Sequence, residues 1–258
     1  MSTRNTFHSN GRALSYLDFG GAGRPLLALH GHMSEGASFT ELAAALAPEW
    51  RVIALDQRGH GYSDRAADYS RAGYLADIEA LLNHLGLDQV VALGHSLGAI
   101  NAYQFAARHP ERITALINAE GPAVLGLDGV NPLQFVLALP HEAPTRAQLI
   151  AEMGPMAAHF GALVRERADG TWSLPFHPAD IVDSEHHVHG DHWADWTATT
   201  CPALLLRGTQ GVIPTDQAEA MTTRRPGTRL AELDTDHFIY AADPTGFAKH
   251  VTEFLAEL

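Results

Sequence analysis

One stretch constrains this chain more than any other: Val90-Val91-Ala92-Leu93-Gly94-His95-Ser96-Leu97-Gly98-Ala99. The apolar run Val90 to Leu93 reads as a short buried strand, and Ala99 to Ala107 has the spacing and composition of a helix. A strand that passes directly into a helix around a serine places that serine on a tight, strained bend. Gly94 and Gly98 let the two elements approach there without Cβ clashes. The Ser96 hydroxyl then projects beyond the C-terminal edge of a sheet. The amide of Leu97 lies at a helix N-terminus, where it can stabilise an anion.

The rest of the chain alternates strands and helices around this bend. Ala13 to Phe19 alternates as a half-exposed strand, and the glycines from Gly20 to Gly23 turn it back. Pro25 to Leu29 has buried-strand length and ends in His30-Gly31-His32-Met33. Ser38 and Glu41 have capping-box spacing, which predicts a helix from Phe39 to Ala47. Arg51 to Leu55 is another buried strand, closed by Asp56-Gln57-Arg58-Gly59-His60-Gly61. Tyr74 to Leu85 has helical periodicity and stops at Gly86. Ile113 to Asn118 predicts a strand ending at Glu120-Gly121-Pro122. From there to about residue 199 the rhythm changes: Leu133 to Leu139 and Arg146 to Val164 read as helices, with no strand pattern. Alternation resumes with Ala203 to Leu206, a helix near Asp216 to Thr223, a strand at Arg229 to Leu233, and a last helix begun by Asp243-Pro244. This pattern predicts an α/β fold with a mostly parallel, doubly wound sheet. Residues 1–121 and 199–258 form its core, and 122–198 a helical cap after the sixth strand. Such sheets carry their chemistry at the C-terminal strand ends. Every polar cluster named above falls at such an end, with the insertion on the same side.

Composition removes several function classes. The 258 residues suffice for one sizeable core with an insertion, and the net charge of −13 with no basic cluster argues against nucleic acid as a partner. No run reaches membrane-spanning length and the first residues hold no apolar leader, so no membrane partner is expected. The single cysteine, Cys201, precedes an apolar strand and has no partner for an internal disulfide. A buried, inert thiol in a reducing, cytoplasmic setting is the expectation. Oligomeric state leaves no signature.

A serine hydroxyl needs a base within hydrogen-bond reach, and that base needs an acceptor that fixes its tautomer. The order expected for this architecture is serine, acid, histidine. His237 follows the last strand and precedes the last helix, where such a base belongs.

With these pieces the chain resembles the α/β-hydrolase superfamily over nearly its whole length. The matching residues are His30-Gly31-His32, Asp56-x-Arg58-Gly59-His60-Gly61-x-Ser63, Gly94-His95-Ser96-Leu97-Gly98 and the late His237. The resemblance implies an eight-stranded sheet and an oxyanion hole made by the amides of His32 and Leu97. It also implies scaffold roles for Asp56 and Arg58, and a loop-supporting role for the His30 side chain. At one place the chain departs from the family. An Asp usually follows the seventh strand there, but this turn reads Gly208-Thr209-Gln210-Gly211-Val212-Ile213-Pro214, with Gly211 in the acid's place. Glu120, at the end of the sixth strand, is the replacement. That position resembles the one used by haloalkane dehalogenases carrying a Glu there and by zearalenone-type lactone hydrolases. Asp216, expected to open a helix, and Asp236, beside the histidine, are weaker substitutes.

The insertion holds four histidines between Asp183 and Trp193: His186, His187, His189 and His192. Their spacing fits no familiar ligand frame, and Ser96 supplies a nucleophile without a metal, so neither metal nor cofactor is expected. Trp172, Phe176, Trp193 and Trp196 either line an apolar substrate pocket or pack the cap against the sheet. The expected activity is serine hydrolysis of a small carboxylic ester or lactone through an acyl-enzyme. Carbon–carbon bond hydrolysis and cofactor-free perhydrolysis use the same parts. A ligand receptor on a hydrolase scaffold is the non-enzymatic alternative. Dehalogenase and epoxide-hydrolase chemistry would need an Asp where Ser96 stands.

Overall fold

The computed structural model describes residues 2–258. Its centre is an eight-stranded sheet. The strands are β1 (Thr3–Ser9), β2 (Arg12–Asp18), β3 (Arg24–Leu29), β4 (Trp50–Leu55), β5 (Val90–His95), β6 (Ile113–Ala119), β7 (Ala203–Gly208) and β8 (Thr228–Leu233), in the spatial order β1-β2-β4-β3-β5-β6-β7-β8. From β4 to β8 every neighbouring pair is parallel, whereas β2 runs antiparallel to both β1 and β4.

Strand period 2 divides the apolar residues between two cores. Leu27, Leu29, Ile53, Leu55, Ala92, Leu116 and Leu205 face one side, where they meet α2 (Arg71–His84), α3 (Leu97–Arg108) and α8 (Thr215–Arg224). Leu26, Ala28, Val52, Ala54, Val91, Leu93, Ile117 and Leu206 face the other, packed on α1 (Thr40–Leu46) and α10 (Pro244–Leu255). A short α9 (Ile239–Ala242) leads into α10, whose start is as expected: the Asp243 side chain accepts from the Gly246 amide and Pro244 occupies the first turn.

β1, the first of the eight expected strands, has no local signal in the sequence, because only Phe7 and Ser9 of its seven residues are buried. Ser38 makes no capping box, because it lies inside a 3-10 turn (Gly36–Phe39) and its hydroxyl donates back to the Glu35 carbonyl at 2.8 Å. Between β6 and β7 the two expected helical stretches are present in short pieces, with a 3-10 turn at Gln134–Ala138 inside the first. The segment holds α4 (Arg146–Met153), α5 (Ala157–Phe160), α6 (Pro178–His186) and α7 (Trp193–Ala198), with two-residue strands among them. This insertion has an apolar cluster of its own, including Val136, Leu149, Phe160, Leu174, Phe176 and Ile181. Met33 joins that cluster from the loop after β3.

Candidate active site

The end of β5 delivers Ser96 into a backbone conformation that side chains rarely adopt, φ 53° and ψ −118°, immediately before α3. Among the described residues only four non-glycines have positive φ, and Met33, Ser96 and Glu120 are three of them. Strain of this kind, about 1–3 kcal/mol per residue, persists where the surroundings over-determine the backbone. The surroundings are tight here: a Cβ at Gly98 would strike the Leu29 carbonyl, and one at Gly94 the Gly98 carbonyl.

His237, on the loop after β8, reaches both neighbours. Its Nε2 lies 2.9 Å from Ser96 Oγ and its Nδ1 lies 3.1 Å from Glu120 Oε2. Because a carboxylate can only accept, Nδ1 carries the proton and Nε2 presents its lone pair to the serine hydroxyl. Glu120 is fully buried at the end of β6. Its Oε1 accepts from the Gly208 amide at 2.8 Å and its Oε2 from the Val212 amide at 2.6 Å, which satisfies the charge where water is excluded.

The turn after β7 explains why Gly211 stands where an acid is usual. A Cβ at Gly211 would fall on the Glu120 carboxylate, which already occupies that space. The weaker substitutes lie elsewhere. Asp236 is exposed and accepts from the Phe238 amide at 2.9 Å. Asp216 is exposed in the first turn of α8 and makes no side-chain cap.

The loop after β3 presses against the serine. A Cβ at Gly31 would stand 3.1 Å from Ser96 Cβ and 2.7 Å from His95 Nδ1. Among the described residues, neither the His32 amide nor the Leu97 amide is taken by another group of the chain. The supporting groups are buried and interlocked. His30 Nε2 accepts from the Gln57 amide at 3.0 Å, and the Gln57 side chain accepts from Asn101 at 2.7 Å. Burial pushes the His30 imidazole down to about 4, and also holds His60 and His95 well below the usual imidazole range. Asp56 anchors the scaffold turn, accepting from the amides of Gly36 and Tyr62 and pairing with Arg4. Arg58 pairs with Asp77 at 2.7 Å.

Sequence reasoning misses two contacts at the site, one made by His95 and one by α6. His95 donates from Nε2 to the His237 carbonyl at 2.8 Å, and the two rings meet at a tilt of 42° with centroids 4.7 Å apart. Its place inside the Gly94-x-Ser96-x-Gly98 bend was the available signal. Glu185 and Ser184 of α6 bind the His32 side chain, and no local pattern announces a contact spanning 152 residues.

The aromatic candidates sit apart from one another. Trp172 and Phe176 belong to the insertion's cluster, where Phe176 shares the neighbourhood of Met33. Trp193 packs on the main core beneath the Arg224 guanidinium, 4.2 Å from its ring centroid. Trp196 is buried against Tyr103 and donates to the Met221 carbonyl at 2.9 Å. Among the described residues, no group of three or more His, Cys, Asp or Glu side chains is arranged to hold a metal ion. His189 bonds to Glu185 at 3.2 Å, and His192 bonds to the Val188 carbonyl at 2.6 Å and to the Gln104 side chain of α3 at 3.2 Å. Cys201 is half-buried and burial raises its thiol pKa, which keeps it protonated. No described helix is long and apolar enough to cross a membrane.

Comparison with known proteins places this geometry in a family. A profile described as "alpha/beta hydrolase fold" matches residues 24–244. A 2-(acetamidomethylene)succinate hydrolase of Mesorhizobium japonicum is 26% identical over 253 residues, spanning 91% of this chain and 89% of that protein. The crystal structure of an E-2-(acetamidomethylene)succinate hydrolase superposes with a TM-score of 0.86 at 22% identity, covering 99% of this chain and 100% of that one. A 2-hydroxymuconate semialdehyde hydrolase of Pseudomonas sp. strain CF600 is 36% identical over 120 residues, 43% of this chain and 42% of that protein.

Proposed function

The chain belongs to the α/β-hydrolase family, and from that premise we propose that it cleaves a small carboxylic ester or lactone through an acyl-enzyme. The observation that carries this reading is the continuous relay from Ser96 Oγ to His237 Nε2, at 2.9 Å, and from His237 Nδ1 to Glu120 Oε2, at 3.1 Å. Ser96 attacks the carbonyl carbon as His237 Nε2 takes its proton. The Glu120 carboxylate fixes the tautomer and stabilises the imidazolium that forms. The amides of His32 and Leu97 receive the developing oxyanion, and among the described residues no other group engages them. His237 then protonates the departing alkoxide. Water enters, gives its proton to the same nitrogen, and releases the acid from Ser96.

A second reading has specific support. A semialdehyde carries no ester, so a hydrolase named for one cuts a carbon–carbon bond, and a stretch of this chain is similar to such an enzyme. The same serine and histidine would serve that reaction. Residues 122–198, which we read as a cap over the strand ends, would select the substrate; Phe176 belongs to the same apolar cluster as Met33 of the loop after β3.

The test is turnover of p-nitrophenyl esters, lactones and vinylogous 1,5-diketones, with and without Ser96→Ala. Ester or lactone hydrolysis lost in the variant, with fluorophosphonate labelling of the wild type at Ser96 alone, supports the first reading. Diketone cleavage without ester turnover supports the second. Binding without any turnover would make the chain a receptor.

A further inference from the structure

We propose that Glu185 and Ser184 are positioning residues that hold the His32 side chain, so that docking of α6 on the core sets the loop carrying one oxyanion amide. This rests on the reading of Ser96 as nucleophile. Both ring nitrogens of His32 are committed to the insertion: Nδ1 donates to Glu185 Oε2 at 3.2 Å, and Nε2 accepts from the Ser184 hydroxyl at 2.8 Å. Two bonds from consecutive residues fix both the tautomer and the plane of the ring.

The partners are themselves held. Glu185 Oε1 accepts from His189 at 3.2 Å, and the Tyr74 hydroxyl donates to Ser184 Oγ at 2.8 Å. One turn earlier, Asp180 takes two bonds from Arg65, at 2.6 and 2.8 Å, which ties α6 to the core. His32, Ser184 and Glu185 are all buried, at 7%, 0% and 6% exposure, so these bonds do not exchange freely with water.

The loop is thus gripped from two sides. Beneath it, Gly31 lies against Ser96 and His95, with no room for a side chain. Above it, α6 holds His32, and Met33 follows in a strained backbone at φ 62°. Removing the upper grip leaves the His32 amide in the chain but frees its direction. Because an oxyanion exists only after attack, such a loss falls on kcat and spares KM. A role in shaping the cap alone would instead move KM and substrate preference.

The experiment measures turnover of p-nitrophenyl acetate by the full chain, with fluorophosphonate labelling of wild-type Ser96 run on a separate sample. Removing an oxyanion donor outright costs about 10²–10³ in kcat. Loosening one should therefore cost about 10–100-fold in Glu185→Ala and in His32→Ala, with KM changed by less than about 3-fold. The double variant should be no worse than either single one. Glu185→Gln, which keeps an acceptor for His32 Nδ1–H, should recover most of the loss. Should Glu185→Ala fail to fold, Ser184→Ala removes one hydroxyl and should still lower kcat several-fold. Losses that add in the double variant, or that appear in KM alone, would overturn the proposal. An unlabelled Ser96 would instead overturn the reading on which it rests.

Discussion

Glu120 and Gly211 are two halves of one arrangement. The carboxylate at the end of β6 occupies the volume that a side chain at 211 would need, and it takes the amides of Gly208 and Val212 as its own donors. Gly211→Ala should therefore displace the carboxylate rather than merely stiffen a turn. We expect kcat on a p-nitrophenyl ester to fall by about 10-fold or more, because His237 loses its fixed tautomer. Unchanged kcat in a folded Gly211→Ala would show that the carboxylate tolerates displacement. At this scale much was legible. A missing acid after β7 and a lone glutamate at the neighbouring strand end are both visible in the residues themselves. The His32–Glu185 and His95–His237 contacts were not, since nothing in a local pattern reports which distant side chains will meet.

At the scale of elements, buried strands announced themselves and polar edges did not. β5 and β6 are almost wholly apolar and were readable, whereas β1 buries two side chains of seven and left no trace in hydropathy. Ser38 and Glu41 had the right spacing for a cap, but Gly36 approaches Asp56 and draws the chain into a 3-10 turn first. In the insertion the helical stretches within Leu133 to Leu139 and Arg146 to Val164 are legible, whereas its two-residue strands are not, because pieces that short owe their stability to packing rather than periodicity. Trp193 provides a test at this scale. Its ring packs on the main core under Arg224, so Trp193→Ala should lower Tm by several degrees, as expected for about 1–3 kcal/mol of lost packing and cation–π contact. Turnover of small and bulky esters should change together. A loss confined to bulky esters would put Trp193 in the substrate's path instead.

The whole molecule carries a pH dependence set by its buried imidazoles. His30, His32, His60 and His95 cluster at the strand ends, and burial holds all four below the ordinary value of 6.5. The unfolded chain therefore binds more protons than the folded one between about 6.5 and the depressed values. Their contribution is complete above pH 6.5 and is lost as pH falls. For His30, buried and lowered to about 4, this amounts to about 3 kcal/mol. Tm should hold steady above pH 7 and drop steeply from pH 6 to pH 4.5; a flat profile over that interval would contradict the neutral, buried state of these groups. The central claim also spans the whole sheet, since Ser96 follows β5, Glu120 follows β6 and His237 follows β8. The direct measurement is kcat for Glu120→Gln and Asp216→Asn on one ester. Replacing an orienting carboxylate by its amide costs about 10⁴ in a serine-protease triad, so Glu120→Gln should lose about 10²–10⁴ while Asp216→Asn stays within about 3-fold of wild type. A crippled Asp216→Asn beside a near-normal Glu120→Gln would contradict the account.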